Sequence, residues 1–217
     1  MRTKPRVKIC CIKSADEAAT AIDFGAAALG LVSAMPSGPG PIAENLIAQI
    51  AATVPPPIAT FLLTCAITAE DIIAQQRRCR TNTIQLCDYV RPLVHAEIRA
   101  ALPGVSLVQV IHVTGPESVE QAIEASRYVH ALLLDSGNPT LAVKELGGTG
   151  RVHDWAISRR IRESVGVPVL LAGGLHPGNA REAYDRVLPA GLDVCSGLRL
   201  NGRLDAGKLR GFFDALH

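Results

Sequence analysis

Eight apolar runs of strand length alternate with eight helical segments. The runs read as continuously apolar, and no linker or low-complexity tract interrupts the series. Strands apolar on both faces, each followed by a helix, require a parallel sheet covered by helices, and eight such units close an α/β chain into a single-domain (β/α)8 TIM barrel over residues 1–217. A doubly wound open sheet ranks second, because that architecture usually takes about five or six strands.

The first unit pairs a strand at Val7–Cys11 with a helix over 14–24, whose start is marked by the capping-box sequence Ser14-Ala-Asp-Glu17. Gly25 closes that helix. Ala27–Ser33 is the second strand and Ala43–Ala52 the second helix, and the intervening SAMPSGPGP is too rich in Pro and Gly to be regular. Ile58–Leu63 precedes a helix from the Thr68-Ala-Glu-Asp71 signal to Cys79, and Thr83–Cys87 precedes the helix Pro92–Ala101. Ser106–Val113 leads to Pro116–Ser126, with Pro in the first turn. The sixth strand starts near Val129 and ends at Asp135, and its helix is Asp154–Ser164. Pro168–Ala172, Pro177–Val187, Leu192–Cys195 and Ala206–Leu216 complete the series.

A chain of 217 residues that is 48% hydrophobic can bury a full core. Its formal charge of +2 is spread along the sequence, which leaves no footprint for nucleic acid or a membrane surface, and no apolar run is long enough to span a bilayer. MRTKPRVKICC has no apolar leader, so the six cysteines are expected as free thiols in the cytoplasm. Cys-x-x-Cys and His-x-x-x-His spacings are absent, so a metal centre has little support.

In such a barrel the chemistry sits at the carboxyl ends of the strands. Asp135 ends strand six and is followed by a long loop containing GGTG. An acid there is a candidate general acid if burial keeps it protonated, and Gly148 and Gly150 let an anion approach backbone N–H groups without a Cβ in the way. A strand-end Asp that only caps the chain's exit is the competing reading. On strand one, alternation puts Lys8 and Cys10 inward and Val7, Ile9 and Cys11 toward the helices. An ammonium favours the thiolate of a neighbouring cysteine, which makes Cys10 a candidate general base. The competing reading has Cys10 as a small buried hydrophobe and Lys8 paired with a carboxylate inside the barrel. LAGGLHPGN after strand seven and CSGLR after strand eight have the composition of a phosphate cradle, with Gly173, Gly174, Ser196 and Gly197 around one anion. Lys8 and Arg199 complete the candidate binding set, and Asp193 is read as a partner for a barrel lysine.

With these residues in view, the chain resembles the phosphoribosylanthranilate isomerase family through VKIC at 7–10, GAAALGLV at 25–32, IQL at 84–86, LLLD at 132–135, GGTGRVHDW at 147–155, LAGGL at 171–175 and DVCSG at 193–197. The resemblance implies a (β/α)8 enzyme of tryptophan biosynthesis that performs an Amadori rearrangement on a phosphosugar. It implies Asp135 as acid, Cys10 as base, no metal or organic cofactor, and a monomer or homodimer. The sequence departs from the family at Cys11 (commonly Gly), at Cys87-Asp88 (commonly His-Gly) and at Arg199, where a Glu often stands. The largest departure follows strand two. A basic segment whose Arg contacts the anthranilate side of the substrate is replaced by Ser37-Gly-Pro-Gly-Pro41, and Arg199 is the candidate replacement for the lost charge. A paralogue that isomerises or binds another phosphorylated sugar is the alternative this loop leaves open.

Overall fold

The computed structural model describes residues 5–148 and 150–217. Met1–Lys4, part of the segment read as lacking a leader, and Thr149 of the glycine loop lie outside the described residues. The strands β1 (Arg6–Ile9), β2 (Ala28–Val32), β3 (Ala59–Thr64), β4 (Thr83–Leu86), β5 (Ser106–His112), β6 (Ala131–Asp135), β7 (Val169–Leu171) and β8 (Gly191–Val194) form one closed barrel in sequence order. Every neighbouring pair is parallel, including β1 with β8. The helices are α1 (Ala15–Asp23), α2 (Glu44–Thr53), α3 (Ala69–Cys79), α4 (Pro92–Ala101), α5 (Ser118–Ser126), α6 (Trp155–Ser164), α7 (Ala180–Val187) and α8 (Ala206–Ala215). The expected (β/α)8 TIM barrel is therefore the observed fold.

Strand alternation divides the apolar residues into two cores. Ile9, Leu29, Leu31, Leu62, Ile84 and Leu132 point outward against helix residues such as Ile47, Ile72 and Ile98. Ala28, Val32, Phe61, Leu63, Val108 and Leu133 fill the interior beneath the barrel mouth. The helix starts are built as the sequence indicates. Ser14 Oγ accepts the Glu17 N–H at 3.1 Å while Glu17 Oε2 accepts that of Lys13 at 3.0 Å. Thr68, Asp154 and Asp205 cap α3, α6 and α8 in the same manner, each such cap being worth about 1 kcal/mol.

Several boundaries differ from the expectation, α5 among them, which starts at Ser118 with Pro116 left in the preceding turn, and three differences have identifiable reasons. β1 ends at Ile9, because Cys11 adopts a left-handed backbone (φ 62°) that stops strand pairing. α7 starts at Ala180 instead of Pro177, because Asn179 closes a turn first, its Oδ1 accepting the His176 N–H and its Nδ2 donating to the Gly174 carbonyl. After β8 the chain makes a 3-10 turn at Ser196–Leu198 and a small antiparallel hairpin, β9 (Arg199–Leu200) with β10 (Arg203–Leu204), that the apolar pattern does not announce.

Candidate active site

The carboxyl ends of the strands surround one pocket of about 680 Å³, counting the space open to solvent. Cys10 lies just beyond β1, its backbone N–H donating to the Val194 carbonyl at 2.8 Å, and its side chain lines the pocket. Gly30 on β2 makes room for it. A Cβ at that position would sit 2.8 Å from Cys10 Sγ and 3.1 Å from Lys8 Nζ.

Lys8 lies one layer deeper. It pairs in register with Asp193 on β8, and its Nζ meets Asp193 Oδ1 at 2.9 Å with both side chains almost fully buried. Burial opposes the ammonium charge, but Asp193 and then Cys10 outweigh it and hold the Lys8 pKa above its ordinary value. Lys8, a residue of the candidate binding set, stands behind the pocket wall. It neutralises Asp193, which does line the pocket.

Asp135, at the end of β6, faces the same pocket from three strand steps away (β6, β7, β8, β1). Its carboxyl is buried. Burial is the main influence holding it above the ordinary carboxylate range; Asp193 adds to this, while the Ser136 N–H and His112 oppose it. Ser136 N donates to Asp135 Oδ1 at 2.7 Å. Gly147 lies against the other oxygen, where a Cβ would come within 2.5 Å of Oδ2. A buried carboxyl with a raised pKa and a thiol thus face one pocket from different strands, the combination of groups that acid–base isomerisation needs.

The anion-binding candidates separate into two groups. Gly148 and Gly150 after β6, Gly173 and Gly174 after β7, and Ser196 after β8 all line the pocket. The four glycines have φ between 62° and 82°, the left-handed region that non-glycine residues rarely adopt. Gly197 does not line the pocket. It lets the 3-10 turn lie against the Leu175 carbonyl and His176, a position with no room for a Cβ.

Arg199, the candidate replacement for the lost charge, also stands apart from the pocket wall. Its guanidinium meets Glu17 at 3.1 Å and donates to the Cys10 carbonyl at 3.3 Å and to the Cys11 carbonyl. It therefore clamps the turn that carries Cys10. Cys11 differs as well: expected on the helix side, it turns inward through its positive φ and lines the pocket beside Cys195. Alternation could not reveal this, since the left-handed residue breaks the pattern on which alternation depends.

Sequence reasoning also missed the apolar wall formed by Val32, Met35, Leu63 and Leu146. The loop after β2 and the loop after β6 close over that wall together. Ser37 Oγ donates to the Lys144 carbonyl at 2.6 Å, and Pro39 packs against Gly148. Lys144 itself pairs with Asp88, and the pocket-lining residues include no Lys or Arg among the described residues.

A family model described as N-(5'-phosphoribosyl)anthranilate (PRA) isomerase matches residues 7–215. The chain is 33% identical to the N-(5'-phosphoribosyl)anthranilate isomerase of Methanocella arvoryzae, with 91% of each chain covered. It is 34% identical to that of Trichormus variabilis, covering 97% of this chain and 98% of the relative. The solved structure of phosphoribosyl anthranilate isomerase from Thermotoga maritima superposes with a TM-score of 0.83 at 25% identity over 98% of both chains. The enzyme from Thermus thermophilus gives 0.81 at 27% identity, covering 97% of this chain and 98% of that one. With its matched segments gathered around one barrel mouth, the chain belongs to the N-(5'-phosphoribosyl)anthranilate isomerase family.

Proposed function

We propose that the protein is an N-(5'-phosphoribosyl)anthranilate isomerase of tryptophan biosynthesis, converting the aminoaldose to the aminoketose 1-(o-carboxyphenylamino)-1-deoxyribulose 5-phosphate. The observation that carries the reading is the convergence of Asp135, Cys10 and the left-handed glycines on one pocket. In this account the protonated Asp135 carboxyl gives its proton to the furanose ring oxygen, and the ring opens to a Schiff base. Cys10, as thiolate, removes the C2' proton, and the resulting enolamine tautomerises to the ketose. The raised pKa of Asp135 supports its role as proton donor. Positively charged nitrogen in the Schiff base acts as the electron sink, so the two transfers need only these side chains.

The phosphate is assigned to backbone N–H groups around Gly148, Gly150, Gly173, Gly174 and Ser196, with no lysine or arginine on the wall to share its charge. The aromatic ring is assigned to the apolar wall of Val32, Met35, Leu63 and Leu146. All these groups belong to one chain, so either a monomer or a homodimer carries a complete site. No helix among the described residues is long and apolar enough to cross a membrane. The thiol-rich pocket fits a reducing, cytoplasmic compartment.

One observation favours the alternative of a different phosphosugar: the pocket wall offers no cation to an aromatic carboxylate. Purified protein mixed with N-(5'-phosphoribosyl)anthranilate made in situ decides between them. Loss of anthranilate fluorescence that disappears in Cys10→Ala supports the isomerase. No loss, with turnover of another phosphorylated sugar, supports the alternative.

A further inference from the structure

Two thiols at the barrel mouth are left unused by the proton-transfer scheme. Cys11 lies two residues beyond the last paired position of β1 and Cys195 one residue beyond that of β8; both line the pocket, with sulfurs 2.6 Å apart. The strands are direct neighbours, so their close backbones bring the two side chains together, and all six cysteines are free among the described residues. The positive φ of Cys11 is what swings its side chain toward Cys195. Gly40 makes space for that conformation, since a Cβ there would stand 2.6 Å from Cys11 Cβ. Arg199 holds the turn from the other side.

We propose that Cys11 and Cys195 form a thiol–disulfide exchange site that takes low-molecular-weight disulfides from the pocket, and that closing the bond shuts off the adjacent Cys10. The site needs little rearrangement, since the two sulfurs already touch and have only to close to a bonded distance of about 2.05 Å.

The order of attack follows from the surroundings. Cys195 is the more accessible of the pair. The Cys11 thiol, and more weakly Arg199, hold its pKa below the ordinary thiol value against the effect of burial. Cys11 is held well above that value by its contacts with Cys10 and Cys195 and by burial. Cys195 therefore attacks one sulfur of the incoming disulfide, whose other half leaves and takes up a proton as a free thiol. Cys11 then attacks Cys195 sulfur in the mixed disulfide, loses its proton, and expels the second half as another thiol. Two protein thiols are oxidised, and one external disulfide is reduced to two thiols.

The bond has a mechanical consequence. Cys11 Sγ is within 3.5 Å of the Pro39 carbonyl, so the loop over the pocket rests partly on this thiol. Oxidation removes that contact and drags the residue adjoining Cys10.

The exchange itself is independent of the substrate; only the expected loss of turnover rests on the isomerase reading. The protein is equilibrated in glutathione buffers of increasing oxidation, quenched in acid, alkylated at its free thiols and then digested with trypsin near neutral pH. The expected product joins the peptides Ile9–Lys13 and Val187–Arg199, forms also in Cys10→Ser, and is absent from Cys195→Ser. Wild-type turnover should fall roughly tenfold or more on oxidation and return with dithiothreitol, whereas Cys195→Ser should keep the same rate in both buffers. A linked peptide that requires Cys10, no linked peptide at all, or equal oxidative loss in Cys195→Ser overturns the proposal. A linked peptide with unchanged wild-type turnover overturns the gating. If the reduced wild type shows no turnover of N-(5'-phosphoribosyl)anthranilate, the isomerase reading fails, while the peptide assay still decides the exchange site.

Discussion

The β1–β8 side of the mouth and the β2–β6 side are held by different forces. On the first, the buried Lys8–Asp193 pair, the Arg199 clamp on Glu17 and the Cys10 N–H bond to Val194 fix the backbone through charge and strand pairing. On the second, two glycine-rich loops meet through Ser37 on the Lys144 carbonyl and Pro39 on Gly148. The rigid side carries the proposed base, and the loop side covers the proposed aromatic wall. The contrast places the proposed base where a small displacement is costly and substrate choice in loops whose sequence can change without breaking the barrel, while the proposed acid, Asp135, ends β6 and borders those loops.

Mutations on the two sides should therefore separate rate, stability and affinity. The largest effect is expected from Cys10→Ala or Asp135→Asn, each lowering kcat by about a hundredfold to ten-thousandfold while the fold, followed by circular dichroism, is unchanged. Next comes Lys8→Met, which leaves Asp193 without its ion-pair partner in the pocket wall. The urea midpoint should fall by the equivalent of about 3–5 kcal/mol, and replacing Asp193 by Leu as well should recover much of it. On the loop side, Ser37→Ala removes one hydrogen bond worth about 1 kcal/mol, so KM should rise several-fold with Tm nearly constant. Equal changes in Tm at Lys8 and Ser37 would erase the contrast.

The smallest effect concerns Glu17. Burial raises its pKa, but hydrogen bonds from Arg199 and from the Leu204 and Lys13 N–H groups outweigh burial, leaving the group depressed. A depressed carboxylate contributes stability that is present above its unfolded pKa and lost as pH falls through its folded pKa. Glu17→Gln should cost about 1 kcal/mol near neutrality after solvent screening, and the difference from wild type should vanish in acid. Unfolding midpoints across an acid series check this.

The legibility of these regions in the sequence follows the range of the interactions. Apolar runs and the Ser14–Glu17 box are local signals, and they disclosed the strands and helices. Cys10 and Asp135 were legible because a polar residue at the end of an apolar strand has one place to go in a barrel. Arg199 was not, because its partner Glu17 is 182 positions away and no periodicity links them. Cys11 was not, because one left-handed residue reverses the facing that alternation predicts. The β9–β10 hairpin escaped because two-residue strands carry no pattern.

The central claim is that Asp135 gives a proton and Cys10 takes one, and the pH dependence of kcat/KM in wild type and Asp135→Asn tests it most directly. Wild type should give a bell, because turnover requires a protonated carboxyl and a thiolate together. With the carboxyl removed, only the thiolate fraction remains, so residual turnover should rise with pH to a plateau. A wild-type profile flat between about pH 5 and 9, or a bell that survives in Asp135→Asn, would contradict the assignment.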